Sequence, residues 1–285
     1  LSSPIPNSRR PNSRNLMNKV KLDSFYTAVN GISMHARVSA EALPKDASVV
    51  ILVHGLVVSS RHMIPTAELL APDYKVYAPD LPGYGESDKP LGILELSELA
   101  DALCRWMDAV GLEKATMLGN SFGCQIIVEF AVRYPTRIDR AILQGPTTDR
   151  HARTLPQQLF RFLLDSPNED PKLGAIVSYD YWLAGLPRIV RTIQICLEDR
   201  IEEKLPYVCV PTLVVRGKLD PLVPQKWAEE VTSLLPQGKL AVIPGVGHTP
   251  NYSAPLELAR VAKGFIHATE PDLDGKGKSH ANTLQ

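Results

Sequence analysis

A serine flanked by glycines is the residue of this sequence best suited to nucleophilic chemistry. Gly119, Ser121 and Gly123 form a G-x-S-x-G pattern that follows the run ATML and precedes the apolar stretch 126–132. Glycines two positions before and after the serine remove side chains that would clash in a tight strand-to-helix turn. Since the start of a helix stabilises a developing oxyanion, this context predicts Ser121 as the nucleophile of an acyl transfer.

A serine hydroxyl is a weak nucleophile, so it needs a base and an acid that orients the base. Two later residues suit these roles. His248 follows the run KLAVI on a loop with glycines at positions 245 and 247, and Asp220 follows the run TLVVR. We therefore expect both side chains at other strand ends of the same sheet.

Short apolar runs alternate with helical segments along most of the chain. These runs are VVILV (49–53), YKVYA (74–78), ATMLG (115–119), AILQG (141–145), TLVVRG (212–217) and KLAVIP (239–244). The alternation predicts βαβ units and a parallel sheet. Ahead of them, Asn30-Gly31 separates the runs 25–29 and 32–38, which predicts an antiparallel hairpin.

Apolar residues at three- and four-residue spacing predict the connecting helices. One series runs from Leu96 to Val110, and Gly111 follows where a helix end needs left-handed backbone. A second apolar helix covers 126–132 and stops before Pro135, and a third begins at Pro255.

Residues 147–206 interrupt this alternation. The segment has no clear strand and contains prolines at positions 156, 167, 171 and 187. Because a structureless loop of this length is rare in a compact domain, we expect an inserted helical cap over the substrate. The core then consists of residues 20–146 and 207–269, between a disordered leader (1–19) and a disordered tail (270–285).

Composition argues against several functions. The 31 basic and 31 acidic residues leave no net charge for binding nucleic acid. The 4 cysteines are far apart, which argues against a disulfide scaffold and a zinc site and favours a reducing, cytoplasmic compartment. No apolar run approaches the roughly 18–20 residues of a membrane span, and no cofactor motif is present. We expect neither membrane insertion nor a metal or other cofactor.

Five motifs in order resemble the α/β-hydrolase superfamily over residues 20–269. They are His54-Gly55, DLPGYGES (80–87), the serine pentapeptide, GKLD (217–220) and GVGH (245–248). The resemblance implies the α/β-hydrolase fold, a mostly parallel twisted sheet with helices on both faces. It also implies that Ser121 is the nucleophile, that His248 is the general base and then acid, and that Asp220 orients and supports the imidazolium.

The same resemblance implies an oxyanion hole made by the backbone N–H groups of Leu56 and Phe122. Apolar residues near the entrance suit a hydrophobic substrate, although packing within the cap is an equal alternative for the aromatic ones. The predicted substrate contacts are Val57, Tyr179, Tyr181 and Trp182.

Other polar residues are weaker candidates for chemistry. Asp80, Ser87 and His54 belong to matching motifs, where such residues mostly shape loops and buried hydrogen bonds. Asp149 is the next candidate for the acid. The remaining histidines, interpreted as surface or internally bonded residues, are His35, His62, His151, His267 and His280.

We expect a serine hydrolase that cleaves a small, fairly hydrophobic ester or lactone. The sequence does not decide between a monomer and a homodimer. One alternative is a C–C bond hydrolase of meta-cleavage products, which has a similar Gly-Asn-Ser turn and for which Arg188 would bind a substrate carboxylate. Against it, Leu56-Val57-Val58 replaces the glycine-rich segment of those enzymes, and Thr249 replaces their usual Trp. A second alternative is a receptor that keeps the triad but turns over slowly.

Overall fold

The computed structural model describes residues 20–40, 43–44 and 46–268. The predicted leader (1–19) and tail (270–285) lie outside the described residues, as does the last residue of the predicted core.

One eight-stranded sheet runs through the described residues in the order β1-β2-β4-β3-β5-β6-β7-β8. Strand β1 pairs antiparallel with β2, β2 pairs antiparallel with β4, and all remaining pairs are parallel. The strand bounds are β1 Leu22–Val29, β2 Ile32–Ser39, β3 Val49–Val53, β4 Lys75–Pro79, β5 Ala115–Asn120, β6 Ile138–Gln144, β7 Thr212–Gly217 and β8 Gly238–Ile243.

The predicted hairpin forms at β1 and β2. Val29 pairs with Ile32, and Asn30 and Gly31 between them have φ values of 50° and 79°. Two successive residues with positive φ form the turn whose twist matches that of the flanking strands. The three predicted helices, from Leu96, over 126–132 and from Pro255, also form. Two further core helices, Ile64–Leu70 and Gln225–Leu234, are not among the predicted ones.

Ten α-helices lie in the described part of the chain. They are α1 Ile64–Leu70, α2 Leu96–Ala109, α3 Phe122–Arg133, α4 Leu155–Asp165, α5 Pro171–Ala184, α6 Leu186–Glu198, α7 Ile201–Lys204, α8 Gln225–Leu234, α9 Pro250–Ser253 and α10 Pro255–His267. Short 3-10 turns occupy Ser60–Met63, Pro135–Arg137, Ser166–Asn168 and Leu205–Tyr207. No described helix is long and apolar enough to cross a bilayer.

Alternate residues of the buried strands face two apolar layers. In β3, Ile51 and Val53 pack in a cluster with α2, α3 and α8, whereas Val50 and Leu52 pack in a cluster with α1 and α10. Because successive strand side chains point to opposite faces, a strand covered on both faces is apolar throughout, as VVILV is. Helices therefore cover both faces of the sheet.

Helices α4 to α7 come between β6 and β7, within the segment 147–206. Capping fixes where they begin: Thr154 and Gln157 form a reciprocal capping box at α4, and the Asp170 side chain accepts from the Lys172 N–H at α5. Asp180 of α5 ties this helical segment to the core, since its carboxylate accepts from Ser59 Oγ (2.7 Å) and Arg61 (2.8 Å).

Candidate active site

Ser121 occupies the turn between β5, which ends at Asn120, and α3, which begins at Phe122. Its backbone has φ 54° and ψ −117°. A residue with a side chain rarely adopts positive φ, and such strained positions persist where the surrounding structure fixes them.

The glycines on either side of Ser121 are required by close packing. A methyl group at Gly123 would lie 2.5 Å from the carbonyl oxygen of Val53, and one at Gly119 would lie 2.7 Å from the carbonyl carbon of Gly123. Both distances are far shorter than normal contacts. The G-x-S-x-G spacing is therefore the spacing that lets β5 turn directly into α3 beside β3.

Asp220 and His248 lie at the ends of β7 and β8 and are hydrogen-bonded. His248 Nδ1 is 2.8 Å from Asp220 Oδ2, and both side chains are buried. Asp220 Oδ1 accepts from the backbone N–H groups of Leu222 (2.8 Å) and Val223 (3.0 Å). The carboxylate is thus fixed on one side by the backbone and holds the imidazole with its other oxygen.

The charge around His248 is strongly negative. Burial disfavours the imidazolium, but Asp220, Asp165 and Glu169 together outweigh burial and raise the pKa of His248 to about 9. The three carboxylates thus favour the imidazolium over the neutral ring, in opposition to burial.

Ser121 and His248 face the same cavity, which has a volume of about 490 Å³. His248 Nε2 has no hydrogen-bond partner among the described residues, and Ser121 Oγ lies 3.4 Å from Thr147 Oγ1. The Ser121–His248 hydrogen bond is thus not formed in this structure, although both groups are available at the cavity wall. In apo sites such bonds are often long and tighten only when substrate binds.

The wall of the cavity is apolar on several sides and acidic near His248. Besides Ser121 and His248, it includes Leu56, Val58, His62, Asn120, Phe162, Asp165, Ser166, Glu169, Asp170, Pro171, Leu173, Gly174, Val177, Tyr181, Leu222 and Thr249. Among the described residues, no group of three or more His, Cys, Asp or Glu side chains is arranged to hold a metal ion.

The predicted oxyanion donors flank Ser121. A methyl group at Gly55 would lie 3.6 Å from Ser121 Cβ, so the loop carrying Leu56 packs directly against the serine. The backbone N–H groups of Leu56 and Phe122 donate to no other described residue. An oxyanion hole requires N–H groups that are not already bonded, and the role of these two in binding an oxyanion stays a prediction.

The four predicted substrate contacts are dispersed. Tyr181 lines the cavity. Val57 lies outside its wall because its left-handed backbone (φ 57°) turns the side chain into the core. Tyr179 and Trp182 also lie outside it: Tyr179 stacks on Arg61 at 5.0 Å, and Trp182 is 75% exposed. Of the four residues, only Tyr181 lies where it could contact a substrate in this cavity.

The other motif residues hold loops together. His54 accepts from the Leu81 N–H through Nε2 (3.1 Å), and burial lowers its pKa. Asp80 accepts from the Ser60 N–H (2.6 Å), and Ser87 donates to the Asp80 carbonyl (2.6 Å). These bonds fix the loops that follow β3 and β4.

The weaker candidates have partners elsewhere. Asp149 pairs with Arg161 at 2.7 Å rather than with His248. His62 is buried between the Ser59 carbonyl and Asn120, so it is internally bonded, yet it also lines the cavity.

Asp165 and Glu169 are cavity residues that sequence reasoning missed. Both come from the segment 147–206, and both accept from the backbone next to the active-site histidine: Asp165 from the His248 N–H (3.1 Å) and Glu169 from the Thr249 N–H (2.8 Å). The run DSPNED (165–170) carries no sequence signal for this role, because its two partners lie 83 and 80 residues further along the chain.

Comparison with known proteins identifies the family. Residues 48–173 match the model of the alpha/beta hydrolase fold, and residues 197–259 match the model of TAP-like proteins. Carboxylesterase YbfK of Bacillus subtilis (strain 168) is 26% identical over 274 residues, which cover 87% of this chain and 88% of that protein. Lipase 3 of Moraxella sp. (strain TA144) is 26% identical over 241 residues, covering 76% of each.

A solved structure shares the fold. The meta-cleavage product hydrolase CumD of Pseudomonas fluorescens IP01 aligns with a TM-score of 0.66 at 23% identity, over 85% of this chain and 97% of that chain. Together with the mostly parallel sheet and the serine turn after β5, these matches show that the chain belongs to the α/β-hydrolase superfamily.

Proposed function

We propose that this protein is a serine hydrolase that cleaves carboxylic esters, including lactones, of small and fairly hydrophobic substrates. One observation carries the proposal: Ser121 and His248 face one cavity, and Asp220 holds the far side of the His248 ring at 2.8 Å. The relatives named carboxylesterase and lipase also support ester cleavage.

In this reaction, Ser121 Oγ turns from Thr147 towards His248 Nε2, gives up its proton to that nitrogen and attacks the substrate carbonyl. The carbonyl oxygen becomes an oxyanion that the N–H groups of Leu56 and Phe122 bind. His248 then passes the proton to the leaving alcohol, and an acyl-enzyme remains. A water molecule, activated by the same nitrogen, releases the acid and restores Ser121.

The cavity wall supports a neutral, fairly apolar substrate. Val58, Phe162, Leu173, Val177 and Leu222 offer apolar surface, whereas no lysine or arginine lies among the lining residues. Burial of a hydrophobic acyl group contributes about 0.8 kcal/mol per methylene. An anionic substrate would meet Asp165, Glu169 and Asp170 with no lysine or arginine in the cavity wall to compensate.

This charge pattern does not favour cleavage of a meta-cleavage product, whose carboxylate needs a cation. Arg188, the residue suited to that role by sequence, does not line the cavity. It is buried, with its guanidinium over the Tyr84 ring at 5.9 Å.

The test is hydrolysis of p-nitrophenyl esters of increasing acyl length, together with simple γ- and δ-lactones, by the wild type and by Ser121→Ala. We expect steady-state turnover of the wild type and a loss of at least about 10³-fold in kcat for the variant, because the acyl-enzyme cannot form. Mass spectrometry after addition of a fluorophosphonate should find one adduct, on Ser121, in the wild type only.

The outcomes separate the alternatives. Turnover that survives in Ser121→Ala would refute the proposal. A single covalent event without steady-state turnover would instead support a slow receptor. Cleavage of a 2-hydroxy-6-oxo-dienoate, but of no ester or lactone, would support a C–C bond hydrolase.

A further inference from the structure

The loop that carries His248 is held by carboxylates from the helical segment. Asp165, the last residue of α4, is buried, and its two carboxylate oxygens lie 3.1 and 3.3 Å from the His248 backbone nitrogen. The N–H therefore donates into the fork of the carboxylate. No other backbone hydrogen bond of this nitrogen is present among the described residues.

Glu169 holds the next residue in the same way. Its Oε1 accepts from the Thr249 N–H at 2.8 Å, and its Oε2 accepts from Ser253 Oγ at 2.7 Å and from the Thr249 hydroxyl. A methyl group at Gly247 would collide with Asp165 Oδ1 and lie 2.8 Å from Glu169 Oε1. The glycine before His248 thus lets two carboxylates approach consecutive N–H groups.

These hydrogen bonds alone do not require charge. An amide oxygen of asparagine or glutamine accepts from an N–H as well as a carboxylate oxygen does. What a carboxylate adds is a negative charge close to a buried imidazole, where its effect is large.

Three carboxylates act on the charge of the His248 ring: Asp220 from the loop after β7, Asp165 from the end of α4 and Glu169 from the turn after α4. Gly145, which follows β6 and also packs against the ring, carries no charge. Asp165 is itself affected by this crowding. Burial, Glu169 and Asp220 outweigh the attraction of His248 and raise the pKa of Asp165 to about 7.

From this arrangement we propose that Asp165 and Glu169 are positioning residues, which fix the His248 loop through hydrogen bonds and increase the basicity of His248 through their charge. The inference rests on the proposed function, in which His248 is the general base. It assigns to the helical segment a role in the chemistry besides shaping the cavity.

The raised pKa of His248 determines how kcat/KM should depend on pH. A raised pKa means that the imidazolium persists to higher pH, and only the neutral ring can accept the Ser121 proton. In the wild type, kcat/KM should therefore rise with pH through a midpoint near 9 and level off only at about pH 10. Removing either charge should move this rise to lower pH.

The experiment compares kcat/KM from pH 5 to 10 for the wild type, Asp165→Asn, Glu169→Gln and the double variant. Each amide keeps the acceptor and removes the charge. We expect the midpoint of the rise to fall by about one pH unit for each single variant, and further for the double variant. Glu198→Gln is the matched control, because Glu198 belongs to the same segment, is 65% exposed and pairs with Arg191.

Asp165→Ala separates positioning from charge. It removes the acceptor too, so kcat should fall about tenfold or more below that of Asp165→Asn at the pH optimum of each, while the midpoint shifts equally. A purely structural role would lower activity at every pH and leave the midpoint where it is. An unchanged midpoint in the double variant would overturn the proposal.

A second measurement does not depend on turnover. NMR titration of the His248 ring in Ser121→Ala, with and without Asp165→Asn and Glu169→Gln, should show the same fall in its midpoint. If the wild type hydrolyses no ester, the proposed function fails, and this titration still decides whether the two carboxylates control His248. A His248 midpoint that the substitutions do not move overturns the inference in either case.

Discussion

Gly145→Ala should greatly reduce kcat/KM by displacing the imidazole ring of His248. Gly145 follows β6 with φ 62°, and a methyl group there would lie 2.9 Å from His248 Cε1 and 3.1 Å from His248 Nδ1. Restoring a normal contact of about 3.4 Å would push Cε1 away by about half an ångström and Nδ1, the atom that Asp220 holds, by about 0.3 Å. Displacements of this order reduce catalysis by about tenfold to a hundredfold.

The backbone cost of the same substitution is modest. Alanine in the left-handed region is disfavoured by roughly 1–2 kcal/mol, which corresponds to a fall in Tm of about 2–8 °C for a domain of this size. Gly111→Ala is the matched control, because Gly111 has φ 71° and nothing within 4 Å of the added methyl. Both variants should lose similar stability in a thermal melt, and only Gly145→Ala should lose kcat/KM in the ester assay.

Equal activity of the two glycine variants would refute this reasoning. It would mean either that the His248 ring moves without consequence or that it is not the base. Measuring the ester assay well below the Tm of both variants excludes unfolding as the cause of any loss.

The remaining predictions concern Asp220 and Asp180, each compared with another aspartate as a control. Asp220→Asn should keep the fold but lower kcat by about 10³–10⁴-fold, because the amide oxygen must accept from the Leu222 and Val223 N–H groups and the NH2 then faces His248 Nδ1. That arrangement selects the wrong tautomer of the ring and removes the charge that supports the imidazolium. Asp149→Asn should retain most of the activity, because Asp149 pairs with Arg161 instead. Comparable losses in the two variants would contradict the assignment of the acid. Asp180→Ala should lower the free energy of unfolding by about 1–3 kcal/mol, since it leaves the buried Ser59 hydroxyl without its acceptor and removes one of the two carboxylates that Arg61 contacts. Asp139→Ala, which removes an exposed ion pair with Lys114, should change the denaturant midpoint far less, and the reverse order would contradict this account.

The centre of the sheet could be predicted from the sequence because strands β3, β5 and β7 are buried on both faces. Runs such as VVILV need no long-range information, and Asn30-Gly31 specifies its turn locally. Helices α1 and α8 could not be predicted in this way, because their local sequence shows no clear helical pattern. Helix α1 is seven residues long, too short to show a periodic pattern, and α8 combines few apolar residues with several charges.

The site was only partly readable, because its wall depends on packing over long sequence distances. Ser121, Asp220 and His248 each follow a recognisable strand, so the sequence indicated their common edge. The sequence predicts substrate contacts at three aromatic residues of α5, but only Tyr181 lines the cavity. Tyr179 and Trp182, two and one positions away, point in other directions from the same helix. Which face of a helix meets a cavity is settled by its neighbours and not by its composition.

The bonds from Asp165 and Glu169 to the His248 loop also restrict how such enzymes can be recombined. The helical segment 147–206 looks exchangeable between relatives, because both of its ends lie next to strands of the sheet. A foreign segment without matching acceptors would leave the N–H groups of His248 and Thr249 without protein partners, at a cost of about 1–3 kcal/mol each where they stay buried. Chimeras that inherit residues 165–169 and 247–249 from one parent should keep activity more often than chimeras that separate them. For protein engineers, the unit of exchange is therefore the helical segment together with a loop that lies about 80 residues away.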